Sequence, residues 1–341
     1  MSYRTVTSLR YMFPAMLACW TQALAFAESP SETSKVSVVS DQYPAIPQMV
    51  TSFGAAVTED AIYMYGGHTG GAHAYDAQSQ AKTLWRLDRK KPVKWEALNE
   101  GPGLQGLSLV THGGKLYRIG GFMAKNAKGE EGDLWSQASV SVYDPSTNAW
   151  TDLNPLPEPR SSFDAAVLNG KIYVVGGWNM QGDDDAAWAT KAYSLDLNDR
   201  AGGWKALPDP PFQRRALSVA AYDGKIFAIG GMQEEGGPTT RVDIFDPQSQ
   251  QWTQGPSLEG ETMDGFGSSS FATGGELFAA TYSGKLQKLS SDGKAWETVA
   301  DLDRARFFHR LLPLSDNELV VLGGASMTSG KFDEVDVIRV R

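Results

Sequence analysis

The chain has 341 residues, a formal net charge of −9 and a single cysteine. The acidic balance argues against a nucleic-acid partner, because phosphate binding needs a basic face. No run of Lys or Arg suggests attraction to an anionic membrane surface.

In chain order, the first element is an export signal. Arg4 and Arg10 precede an apolar stretch from Tyr11 to Ala27, and Ala25-Phe26-Ala27 fits a small-x-small cleavage site before Glu28. Residues 1–27 therefore read as a signal peptide, and the expected location is periplasmic or secreted. An uncleaved anchor and acylation at Cys19 are the alternatives. Cleavage removes two arginines and no acid, taking the charge from −9 to −11, and removes Cys19, so the mature chain could form no internal disulfide. Once the signal is cleaved, no membrane insertion is expected. Residues 28–41, rich in Ser, Glu and Thr, read as a flexible leader and the start of a strand.

From residue 42 onward the chain repeats. Glycine pairs close short apolar runs at Gly66-Gly67, Gly120-Gly121, Gly176-Gly177, Gly230-Gly231 and Gly323-Gly324, the first four pairs 54, 56 and 54 residues apart. A degenerate copy lies at Leu277-Phe278-Ala279-Ala280. Trp95, Trp150, Trp204, Trp252 and Trp296 follow at spacings of 55, 54, 48 and 44. Each Trp comes after an alternating run such as Val242-Asp243-Ile244-Phe245-Asp246-Pro247, a strand entering a tight turn. Asn169-Gly170 and Asp223-Gly224 suit the positive φ of hairpin turns between the first two strands of a unit. Each unit is thus about four short antiparallel strands.

The diglycine, the aromatic three residues before it in several units, the aspartate turn and the Trp together resemble the kelch repeat over residues 42–341. The resemblance implies an all-β fold, a six-bladed kelch-type β-propeller. The sixth unit ends at Val335-Asp336-Val337-Ile338-Arg339-Val340 with no Trp strand after it. The segment from Val36 to Pro47 is expected to supply the missing strand and close the ring.

In such a blade the loops after the glycine pairs share one face with the links between blades. These loops are long in units one to three, over roughly residues 68–83, 122–138 and 178–191, so half of one rim should be raised. Arg160, Arg214 and Arg306 align just before first strands. They read either as structural bonds to neighbouring carbonyls or as an anion cradle at the channel mouth. Glu261, Asp264 and His309 enter the same mouth and are the candidate acid–base groups. Trp135 and Trp178 in the raised loops are candidates for stacking on a sugar, and His68 for ligand contact.

Kelch propellers are mostly interaction platforms. The resemblance therefore implies a monomeric binding scaffold for a glycan or protein, with no cofactor and no metal. Its nearest enzymatic analogue is the bacterial N-acetylneuraminate epimerase group, which makes mutarotation of an acidic sugar the alternative. Galactose oxidase-like chemistry needs a Cys–Tyr crosslink that the mature chain has no cysteine to form.

Overall fold

The computed structural model describes residues 36–39, 42–199 and 202–340. The signal peptide expected over residues 1–27 lies outside the described residues. Residues 35–341 form one compact unit.

Among the described residues, six four-stranded antiparallel sheets follow one another along the chain. Blade 1 runs Gly54–Val57, Ala61–Tyr65, Thr83–Asp88 and Trp95–Glu100 from the centre outward. Blades 2 to 5 repeat this order, with innermost strands Ser108–His112, Asp164–Leu168, Ser218–Tyr222 and Ser269–Thr273. Blade 6 takes Arg310–Ser315, Glu318–Leu322 and Asp336–Arg339 from the end of the chain, and Ser37–Val39 from its start. Ser37 pairs with Arg339, Val38 with Ile338 and Val39 with Val337. The six innermost strands are neighbours around a closed ring. The propeller read from the repeats is therefore present.

The core lies between blades. Tyr63 and Tyr65 of blade 1 pack on Leu109, Leu116 and Tyr143 of blade 2. The same kind of layer joins Phe278 and Leu286 of blade 5 to Leu311 and Ile338 of blade 6, and Leu312 and Val337 of blade 6 to Ile62 and Met64 of blade 1. Such burial stabilises each side chain by roughly 1.5–3 kcal/mol.

The two sequence markers are the stitches across these layers. The Gly177 N–H donates to Arg214 O of the next blade at 2.8 Å. Gly176 and Gly177 have φ of 75° and 93°, and a Cβ on either would lie 2.6 Å from a carbonyl oxygen. Only glycine meets both demands. The Trp indoles point the other way: Trp204 Nε1 donates to Asn154 O at 3.0 Å, Trp252 to Pro208 O at 2.8 Å and Trp296 to Pro256 O at 3.0 Å. Trp95 donates to Pro44 O at 3.1 Å, so the segment after the closing strand serves blade 1 as an ordinary inter-blade link.

The raised loops are not irregular. Phe122–Ala124, Leu134–Ser136, Trp178–Gln181 and Asp184–Trp188 form a further four-stranded sheet above blades 2 and 3. The first raised loop (loop 1, residues 68–83) joins it where Gln80 exchanges hydrogen bonds with the Ala124 backbone and Asn126 Nδ2 donates to Tyr75 O.

Candidate functional site

Six residues form the neck of the channel: Ser52, Gly106, Ser162, Ala216, Gly267 and Phe308, each just before a first strand and each at φ between 52° and 59°. Their amides form a chain of hydrogen bonds from blade to blade. Gly106 N donates to Ser52 O, Ser162 to Gly106, Ala216 to Ser162, Gly267 to Ala216 and Phe308 to Gly267, at 2.7–3.0 Å. A left-handed residue here turns the chain from the rim into the innermost strand.

Below the neck, Arg310 crosses the channel. Its Nε donates to Phe53 O at 3.0 Å, Nη2 to Leu107 O at 3.2 Å and Nη1 to Asp164 Oδ1 at 3.0 Å. Asp164 also accepts from Ser108 Oγ at 3.2 Å and from the Val219 N–H at 3.0 Å. One ion pair thus links blades 6, 1, 2, 3 and 4. It also divides the channel, because Arg310 lines both the mouth cavity of about 390 Å³ and a second cavity of about 290 Å³ on the opposite side.

The mouth cavity is walled on the raised side by Phe122, Leu134, Trp178 and Met180 of the extra sheet, and on the low side by Met232, Phe266 and Phe308. Arg215 stands in it with its guanidinium carbon 4.1 Å from the Trp178 ring centre and 5.5 Å from that of Trp188. A cation–π contact of this kind holds the guanidinium over the rings while leaving its N–H donors free for a ligand. Tyr75 lines the same cavity. Burial pushes its hydroxyl pKa up, and the charge of Arg215 pulls the other way.

The arginine cradle is not formed. Arg160, Arg214 and Arg306 are 1%, 0% and 2% exposed and do not line the cavity. Each points into its own blade. Arg160 Nη1 donates to Gly176 O and Lys191 O, at 3.2 and 2.7 Å. Arg214 Nη1 donates to Gly230 O and Arg241 O at 2.9 and 2.6 Å, and its Nη2 to Asp243 at 2.7 Å. Arg306 bonds Gly323 O, Glu334 O and Asp336 in the same way. The Nη1 of each is spent on the carbonyl where the chain leaves the second strand, which is the geometry of the structural alternative.

The acid–base candidates are not assembled either. Asp264 is buried and accepts from the Ser283 and Glu261 amides at 2.9 and 3.1 Å, closing a short 3-10 turn over Thr262–Gly265. Glu261, at the start of that turn, is exposed, and neither residue lines the cavity. His309 does line it, but it is 4% exposed and neither ring nitrogen makes a hydrogen bond. Burial first, then the charges of Arg306 and Arg310, lowers its pKa to about 3. It is a neutral imidazole at ordinary pH.

Among the rim residues, Trp178 lines the cavity as a stacking platform. Trp135 does not: Lys125 Nζ lies 3.9 Å from its ring centre and its indole N–H bonds Asp133. His68 is buried under loop 1, its Nε2 3.0 Å from Ala74 O and its ring 4.9 Å from that of Tyr75, and burial lowers its pKa. It packs the loop, while His73 faces the cavity.

Arg215, Arg310 and Asp164 were not singled out from sequence, although a signal exists. The position just before the neck residue holds Thr51, Gln105, Ser161, Phe266 and Phe307 in the other blades, and Arg215 is the one charge among the six. Two residues past the neck, Gly54, Ser108, Ser218 and Ser269 are small, whereas Asp164 and Arg310 carry opposite charges.

The family model described as KLHDC2/KLHL20/DRC7 Kelch-repeats domain matches residues 106–324. Kelch-like protein 40 of Xenopus laevis is 28% identical over 218 residues, 61% of this chain and 32% of that protein. Kelch-like protein 23 of Homo sapiens is 25% identical over 264 residues, covering 76% and 43%. The chain spans less than half the length of the curated relatives it matches. The solved structure of YjhT aligns with a TM-score of 0.69 at 20% identity, over 86% of this chain and 95% of that one, a likeness of fold. With the repeated diglycine, the Trp stitches at four blade junctions and the family model matched across most of the ring, this chain belongs to the kelch-repeat family.

Proposed function

We propose that this chain is a binding propeller that captures a protein or glycan on its raised face, with the mouth cavity receiving a group that projects from that partner. The observation that carries the reading is the mouth itself. A cavity of about 390 Å³, floored by Arg310 and walled on one side by the four-stranded extra sheet above blades 2 and 3, is a shaped recess on a rigid ring. Membership of a family that includes the Kelch-like proteins supports a scaffold role, and the pattern of residues 1–27 supports export to the periplasm or beyond. The closed ring leaves no free edge between first and last blades, which supports a monomer.

The alternative, mutarotation of an acidic sugar, needs an acid and a base across one ring. Glu261 and Asp264 stand away from the cavity, and His309 does not take a proton near neutral pH. Binding is therefore the better-supported reading.

The test is a screen of the chain from residue 28 onward against glycan and peptide arrays, in parallel with Met232→Arg, which fills the cavity from its half-exposed low wall. Ligands retained by the parent and lost by the variant are expected. Hits unchanged by the variant, or an array with none, would sink the reading.

A further inference from the structure

The charges around the mouth are almost all answered from within. Arg310 has three acceptors, and Arg160, Arg214 and Arg306 are tied to carbonyls of their own blades. Arg215 is different. Its side chain makes no hydrogen bond or ion pair with any described residue, its Nε is shut off from solvent without a partner, and its guanidinium lies against the rings of Trp178 and Trp188. A guanidinium in that condition has lost part of its hydration and gained no counter-charge, so an incoming anion meets donors that are partly desolvated and unclaimed.

The rest of the lining constrains the body of the ligand. Phe266 and Phe308, 5.0 Å apart edge to face, form the wall on the low side, and Met180 and Leu217 add further apolar surface. The space admits a single ring or side chain rather than an extended polymer.

We infer that the mouth takes a carboxylate, paired with the stacked guanidinium of Arg215, whose attached body is apolar or ring-shaped and packs against Phe266 and Phe308. This rests on the reading of the mouth as a binding site and adds the chemistry of what enters it. A carboxylate fits because its two oxygens match the forked donors of a planar guanidinium, a match an amide of the same shape cannot make.

The experiment uses the chain from residue 28 onward and three probes: 3-phenylpropionate, its uncharged amide, and N-acetylneuraminate. Binding is followed by calorimetry and by the fluorescence of the tryptophans. At least one carboxylate should bind, and 3-phenylpropionate should exceed its amide by about tenfold or more, the scale of one charge-assisted hydrogen-bond pair. Added salt should weaken the acid and not the amide. Arg215→Met should bring acid and amide to parity, while Arg215→Lys, which keeps the charge and the stem, should retain part of the preference and serves as the check that the fold is intact. An Arg215-dependent response stronger for N-acetylneuraminate than for 3-phenylpropionate would support the carboxylate and assign it to an acidic sugar. Equal binding of acid and amide, a preference that survives Arg215→Met, or no response to either carboxylate would overturn the inference. Array ligands lost in Met232→Arg but indifferent to Arg215→Met would leave the binding face standing and overturn the carboxylate alone.

Discussion

Replacing Arg214 by Met should weaken the fold and leave ligand binding at the mouth untouched. The side chain is fully buried and serves Gly230 O at 2.9 Å, Arg241 O at 2.6 Å and Asp243 at 2.7 Å. Removing one partner of a buried ion pair costs roughly 3–5 kcal/mol, because the other charge is stranded. Asp243 would not be wholly stranded, since Arg241 still reaches it at 2.9 and 2.7 Å. That places the expected loss near the lower end, about 3 kcal/mol. A ring of this size unfolding as one unit loses roughly 1.5 °C of Tm per kcal/mol, so Tm should fall by about 5 °C. Calorimetry and urea titration of the chain from residue 28 measure both quantities. Arg214→Met with Asp243→Leu should recover part of the loss. Arg160→Met should cost less than Arg214→Met, because its carboxylate partner Glu158 is 51% exposed and 3.5 Å away. A melting point within about 1 °C of the parent, or loss of ligand binding without loss of stability, would refute the structural assignment.

Two further outcomes follow from the same structure. His309 has a folded pKa of about 3, below the ordinary 6.5, so the unfolded chain takes up a proton first as pH falls. Its contribution to stability is whole above pH 6.5 and is lost as pH drops towards 3, at up to about 1.4 kcal/mol per pH unit. His309→Gln should flatten the stability curve between those limits, and urea titrations giving parallel curves for parent and variant would refute this. A chain beginning at residue 42 loses the Ser37–Val39 strand and should show faster amide exchange across Asp336–Arg339; unchanged protection there would contradict closure by that strand.

The fold was legible because its determinants are local and repeated. A glycine pair recurs in five of the six units and a Trp in five, so their spacing records the architecture directly. The extra sheet was not legible. Its strands come from two loops whose pairing, as between Gln181 and Trp135, exists only once neighbouring blades stand side by side. The arginines show a finer limit. Alignment placed Arg214 correctly at the entry to blade 4, but the direction of a side chain there depends on a two-residue strand, Arg214–Arg215, paired with Gln233 and Met232. Neighbours on a strand face opposite ways. Arg214 therefore turns into the blade and Arg215 into the mouth, a difference of one position that no motif distinguishes.

The bridge below the neck has a consequence for the order of assembly. Arg310 and Phe53, which it binds, are 257 positions apart. Bringing such distant points together in a slack chain would cost about 5 kcal/mol of closure entropy, comparable to what two hydrogen bonds to carbonyls and one ion pair return. Once the intervening blades stand in an arc, the two ends already face each other and little of that entropy is left to lose. The bridge is therefore a late contact that reports on all the others. A defect anywhere along the arc withholds Arg310 from Asp164, and the hub stays open until every blade has found its place.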